Sequence, residues 1–301
     1  MPPPAITGIH AAWSLYRQCA ATSAYHKKQL ELFTKISLWL GIAGALIGTL
    51  GQVINPSPQS TTSKVAGIAG SIVVALAGVA ATQATAGNRD KLWIKARAAG
   101  EGIKTCVFLY CASAPPFDGA DRANVLADKT EKAMLDLKGT ELRPGTIKDP
   151  PGPLTVEGYI KARVDDQIDY YNKTAIKHQE RADFWRFCGL VAASSGAILG
   201  TVSALFSLAP WVALLSTVVT SLTAYVKGQQ YESMIALYQA TAARLSLLKD
   251  KWLDSGKSDA DIAERSEFIK NCEDTMSLEN GAWVAKWAEQ TPKKAPEKPA
   301  G

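Results

Sequence analysis

Histidine and cysteine are scarce in this chain: its 301 residues include three His and five Cys. Cys19, Cys106, Cys111, Cys188 and Cys272 form no CxxC pair, so neither a zinc site nor a dithiol redox motif is expected. Five cysteines are also too few for a disulfide scaffold of this length. No GxxxxGK(S/T), HExxH or GxSxG occurs. Those absences exclude phosphate-loop, zincin and α/β-hydrolase chemistry. The expectation is a protein that is not an enzyme and needs no cofactor or metal. An excess of one charge is missing too: 33 basic residues face 28 acidic ones, for a net charge of +5. That is too weak to point to a nucleic-acid partner. A hydrophobic content of 47% excludes a disordered chain.

Charge is absent from whole stretches instead. None lies in 36–63, in 65–88 or in 187–226. A membrane-spanning helix needs about 20 mainly apolar residues. The last stretch accommodates two, with Ala209-Pro210-Trp211 as a tight hairpin near its middle, because Pro cannot continue a helix comfortably. The first pair reads as Ile36 to Ile54 and Val65 to Ala86, joined by the turn-rich Asn55-Pro56-Ser57-Pro58-Gln59-Ser60. The competing reading is a set of buried helices in a soluble bundle. Four uncharged helix-length segments in two tight pairs are hard to bury that way.

Among the basic residues only Lys64 falls between paired spans, while Lys27, Lys28, Lys35, Arg89, Lys91, Arg181, Arg186 and Lys227 crowd the other ends. The positive-inside rule then places that side, with both termini, in the cytoplasm. Met1-Pro2-Pro3-Pro4 has no basic start or apolar run of a signal peptide, so the first span is expected to act as the insertion signal. The localisation implied is a multi-pass plasma membrane protein with reduced cysteines.

The two halves repeat. Gly44-Ala45-Leu46-Ile47-Gly48-Thr49-Leu50 recurs as Gly196-Ala197-Ile198-Leu199-Gly200-Thr201-Val202, and at the same offset His26 meets His178 and Phe33 meets Trp185. After the second span of each pair, Trp93 meets Tyr238, Ile103 meets Leu248 and Lys104 meets Lys249 at a shorter offset. A duplicated module of helix, span hairpin and helix accounts for this. The organisation read from it is a first two-span repeat over 1–138 and a Pro/Gly-rich linker over 139–154. A second repeat follows over 155–290, then a disordered Lys- and Pro-rich tail over 291–301.

Outside the spans the apolar rhythm is helical. Val164, Ile168, Tyr171, Ala175, His178, Ala182 and Trp185 form a heptad seam, and Ala12, Tyr16, Cys19, Ser23, His26, Leu30 and Phe33 form its counterpart. Similar rhythms follow the second span (Trp93, Ala96, Gly100, Ile103) and the fourth (Tyr231, Met234, Tyr238, Leu245). Amphipathic stretches follow near Asp121 to Lys138 and Asp259 to Trp287. The fold class is therefore an all-α membrane protein. Its four transmembrane helices form two duplicated hairpins and extend into a long cytoplasmic bundle.

Three sets of candidate functional residues stand out. Ser216, Thr220 and Thr223 share one face of the fourth span with Thr217 and Ser221 beside it; they either bond back to the helix or line a water-filled pore. Thr82, Gln83 and Thr85 are a shorter version at the end of the second span. Gly44xxxGly48 and Gly196xxxGly200 suit close packing, within a hairpin or between subunits. His26 and His178 are either packed seam residues or a pH-sensitive pair. No span holds an Asp, Glu, Lys, Arg or His, which argues against a proton pump or coupled transporter. Glu101 is spaced to pair with Arg97 or Lys104 on one helix face.

Trp93, Arg97, Glu101, Lys104, Phe108-Leu109-Tyr110 and Pro115-Pro116-Phe117 resemble the post-hairpin helix of SLATT domains, two-span effectors associated with SMODS nucleotidyltransferases and SLOG sensors. Tyr159-Ile160, Arg163, Gln167 and Tyr170-Tyr171, with Tyr231, Tyr238, Thr241, Arg244 and Leu245, resemble a second SLATT type. The resemblance runs from about Ala11 to Trp287. It implies a bacterial inner-membrane protein of nucleotide-linked defence systems that acts by forming a pore. It also implies a homo-oligomer in the lipid bilayer, with a separate sensor or nucleotide-signalling partner, since the chain holds no recognisable sensor domain. The alternative function is a non-conducting membrane scaffold that recruits partners through its cytoplasmic helices.

Overall fold

A computed structural model of the chain describes residues 8–54, 60–206 and 208–290, with backbone only at 204–206 and 288–290. Among the described residues there are helices and no strands. Helix α1 runs unbroken over Ile9–Ile54, and α2 over Thr61–Thr85. Ser60 caps α2 by accepting a hydrogen bond from the Ser63 amide at 3.1 Å. Lys64 thus sits in the first turns of α2 and not in the connection where the charge pattern places it. The expected turn residues 55–59, the Pro-rich start and the tail from Thr291 lie outside the described residues.

A short 3₁₀ turn, Ala86–Asn88, separates α2 from α3 (Arg89–Cys111), and Gly87 and Asn88 both take left-handed φ values there. Helix α4 follows over Arg122–Asp136. The second copy begins with one turn, α5 (Val156–Tyr159), capped by Thr155, whose hydroxyl accepts from the Gly158 amide. A π-helical turn, Ile160–Val164, leads directly into α6 (Asp165–Phe206). Helix α7 (Ala209–Gln229) carries Pro210 in its first turn, where a missing N–H costs nothing. Gln230 then takes φ 51° and breaks the chain into α8 (Tyr231–Asp254), and α9 covers Ile262–Gln290. The expectation that every span runs on as one long helix holds for α1 and α6. After α2 and α7 a left-handed residue interrupts the run.

Among the described residues, four helices are long and apolar enough to cross a membrane; they begin at Ile9, Thr61, Val156 and Ala209. The chain divides into two compact units. One unit holds Lys28–Arg89 and Ile176–Ser233, which contain the four charge-free segments. In it α1 and α2 pack through glycine. A Cβ at Gly44 would lie 2.7 Å from Val74 Cγ2 and 2.9 Å from the Gly70 carbonyl oxygen. Ser37 adds a hydroxyl bond to the Ala77 carbonyl at 2.9 Å. Trp39, Trp185 and Tyr225 form an aromatic group on the helices of this unit.

The other unit gathers the beginning of α1 to Lys27, then 90–175, and then α8 and α9 from Met234. Its core includes Trp13, Trp93, Ile103, Val107, Phe117, Tyr159, Val164, Tyr171, Tyr238, Leu245, Ile269 and Trp283, all buried. The Pro/Gly stretch 139–154 has no helix, yet it packs closely. A Cβ at Gly145 would lie within 2.8 Å of three Arg17 atoms. The Arg143 amide donates to Thr22 Oγ1 at 2.8 Å, and the Leu154 amide to the Cys111 carbonyl at 2.9 Å. This segment is a fitted strap across the helical unit.

Candidate functional site

Two polar arrangements stand out, one in each unit. In the span-bearing unit it is the outer face of α7. Along this helix the exposed residues are Ala209, Ala213, Ser216, Thr217, Thr220, Thr223, Ala224, Lys227 and Gly228. Steps of three and four place them on one stripe. The bulky side chains Leu214, Leu222 and Tyr225 are buried on the opposite side. The stripe therefore presents methyls, hydroxyls and one terminal ammonium, with no large apolar group. Ser216 donates to the Val212 carbonyl at 2.9 Å, Thr217 to Ala213 at 3.0 Å and Thr220 to Ser216 at 2.9 Å. Each hydroxyl proton is thus satisfied within the helix, which leaves oxygen lone pairs outward. Ser221 is half-buried and lies beside the stripe. Thr82, Gln83 and Thr85 are exposed at the end of α2.

The paired glycines do not behave alike. Gly44 contacts α2 directly, and a Cβ on Gly70 would lie 3.1 Å from the Gly48 amide nitrogen. At Gly196 an added Cβ would meet Leu215 Cβ at an ordinary 3.5 Å, and at Gly200 it would meet nothing. The two histidines fall in different units, with His26 next to the Tyr25 ring and His178 near the Tyr231 ring.

In the helical unit the polar arrangement is buried along α9. Arg163, which is 1% exposed, makes two parallel bonds to the Glu273 carboxylate, both at 2.9 Å. The same carboxylate accepts from the Tyr159 hydroxyl at 3.0 Å and from Thr105 at 2.8 Å. The Arg163 guanidinium lies 4.8 Å from the Phe108 ring centroid. The π-helical turn carries Arg163, which the structure commits to Glu273. Two turns along α9, Glu279 accepts from the Tyr171 hydroxyl at 3.2 Å and pairs with Arg97 at 3.5 Å. Arg97 also stacks 4.1 Å over Trp283. Burial raises the Glu279 carboxyl above its ordinary value, against the pull of Arg97. Burial also pushes the Cys272 thiol up to about 12, with Glu273 adding to the rise. Burial lowers the Lys104 ammonium, and Arg163 adds to that.

Arg97 pairs with Glu279 across the unit, while the Glu101 charge acts on both Arg97 and Lys104 along the same helix face. Lys104 lies over the Tyr16 ring. Both α9 carboxylates escaped the sequence reading, though their partners Arg97, Arg163 and Tyr171 did not. An amphipathic helix does not reveal which of its acids turns inward. The available signal was the number of buried-type residues around them, with Ile269, Cys272, Met276 and Trp283 on the same face. Among the described residues no group of three or more His, Cys, Asp or Glu side chains is placed to hold a metal ion.

Two family profiles match the chain in tandem. Residues 14–141 match SMODS and SLOG-associating 2TM effector domain 3, and residues 159–283 match SMODS and SLOG-associating 2TM effector domain 1. The gap between the matches coincides with the strap. No curated protein and no solved structure matches the chain.

Proposed function

We propose that this chain, which belongs to the SLATT family of two-span effector domains, forms a homo-oligomeric membrane pore with the exposed face of α7 along the aqueous path. The observation that supports it is the makeup of that face. A helix set against hydrocarbon exposes large apolar side chains, as α2 does with Ile68, Ile72, Leu76 and Val79. Helix α7 exposes Ala, Ser and Thr in their place. Back-bonded hydroxyls keep the helix intact while offering oxygen to water or ions. One chain supplies a single such helix, so several copies must surround an axis. No charge-free segment carries an Asp, Glu, Lys, Arg or His, which suits passive permeation over proton coupling.

The setting follows from the same reading. The Lys and Arg distribution supports a protein of the bacterial inner membrane with both termini on the cytoplasmic side. The chain acts as a defence effector by permeabilising that membrane, answers to a separate sensor or nucleotide-signalling protein, and is not an enzyme. Purified full-length protein in planar bilayers tests this. Discrete conductance steps that change in size with Thr220→Trp support the pore; a silent bilayer under every trigger tried sinks it. The second reading, a non-conducting scaffold, draws on the same three back-bonds, because hydroxyls satisfied inside a helix need no water. It predicts that Thr220→Trp leaves cellular activity intact.

A further inference from the structure

A groove of about 440 Å³ opens between α3 and α4 in the helical unit. That volume falls within the ordinary range of small-molecule sites. On α3 it is lined by the small residues Ala98, Ala99 and Gly102, with Ile103 and Cys106 beside them. A Cβ at Gly102 would meet nothing within 4 Å, so the floor is open. Around it stand three ammonium groups, Lys95 from α3 and Lys129 and Lys132 from α4, against the single carboxylate of Asp136. Among the described residues none of the three lysines forms an ion pair; Lys95 reaches only the Lys138 carbonyl, at 3.4 Å. Three lysines without a carboxylate partner give the slot a local excess of positive charge, which favours an anion.

From this we infer that the groove binds a water-soluble organic phosphate. Its phosphate would sit among Lys95, Lys129 and Lys132, and a flat apolar body would lie on Ala98, Ala99 and Gly102. Ammonium groups hold phosphate as point charges, through charge-assisted hydrogen bonds. A lipid headgroup fits less well. Helix α4 also exposes Asp128 and Glu131 outside the groove, and these carboxylates would be repelled by an anionic membrane surface, whereas a small ligand meets only Asp136, outnumbered by three lysines.

Cys106 lines the groove and is half-buried, which makes it a built-in reporter. The test uses the full chain in phosphatidylcholine nanodiscs, with alkylation of Cys106 by N-ethylmaleimide followed by peptide mapping. The probe is 1-naphthyl phosphate, with 1-naphthol and inorganic phosphate as controls. At ten times its Kd a ligand in the groove should slow Cys106 alkylation about tenfold, by mass action. The phosphate ester should protect at lower concentration than either control. Protection, read as a ratio within each variant, should vanish in K129E/K132E, and in G102L, which fills the floor without changing charge. It should persist in K173E, an exposed lysine outside the groove. The inference fails if the probe gives no saturable protection, or if both groove variants are protected like the parent. It also fails if only phosphatidylglycerol discs, without probe, protect the thiol, since that would assign the groove to a lipid.

Discussion

Helix α2 turns Val65, Ile68, Ile72, Val74, Leu76 and Val79 outward, whereas α7, its counterpart in the second copy, turns out a stripe of Ala, Ser and Thr. The first helix of each hairpin differs as well. Gly44 on α1 is closed against Val74 and Gly70, while Gly200 on α6 meets nothing. Two tandem hairpins thus share a glycine pattern and use it differently. The first is knit by backbone contact and exposes large apolar side chains. The second leaves Gly200 open and carries the polar face.

The largest expected effect lies outside both hairpins and sets the scale for them. Glu273→Ala would strand the buried Arg163 guanidinium and cost about 3–5 kcal/mol of stability. Thermal melting of the detergent-solubilised protein reads this; a shift no larger than that of an exposed charge such as Lys270→Ala would contradict it.

Within the spans the glycines separate the two copies by sign. Gly44→Ala must displace Val74 or the Gly70 backbone and should cost about 1–3 kcal/mol. Gly200→Ala adds a methyl into open space and removes a helix glycine, so a gain of up to about 1 kcal/mol is expected. Equal destabilisation by the two changes would erase the difference between the hairpins. If Gly200→Ala alone weakened the oligomer without loosening the monomer, the open glycine would become a subunit contact.

Much of this fold is legible in the residue order. The charge-free segments stop close to the ends of α2 and α7, whereas they begin in mid-helix in α1 and α6, since charge is costly in hydrocarbon and its absence is local. Seam residues such as Val164, Tyr171 and Ala175 are buried as their heptad spacing predicts. The strap is less legible. Pro and Gly in 139–154 mark it as non-helical, but its fit depends on Gly145 meeting Arg17 more than a hundred residues earlier. The glycine asymmetry is present in the sequence: α2 sets Gly70 against α1, whereas α7 has no glycine before Gly228. Matching GxxxG pairs says little until the facing helix is read with them. The α9 carboxylates are the least legible, because inward orientation is a property of the assembled unit.

The central claim, that α7 faces water where α2 faces lipid, is tested most directly by paired cysteine accessibility. Thr220→Cys and Leu76→Cys would each be placed in a background whose Cys188 is replaced by Ser, in nanodiscs of the full-length protein. A charged, membrane-impermeant methanethiosulfonate reagent would then be applied. The account predicts rapid modification at position 220 and essentially none at 76. Equal reactivity at the two positions, or an inert Thr220→Cys, would contradict it.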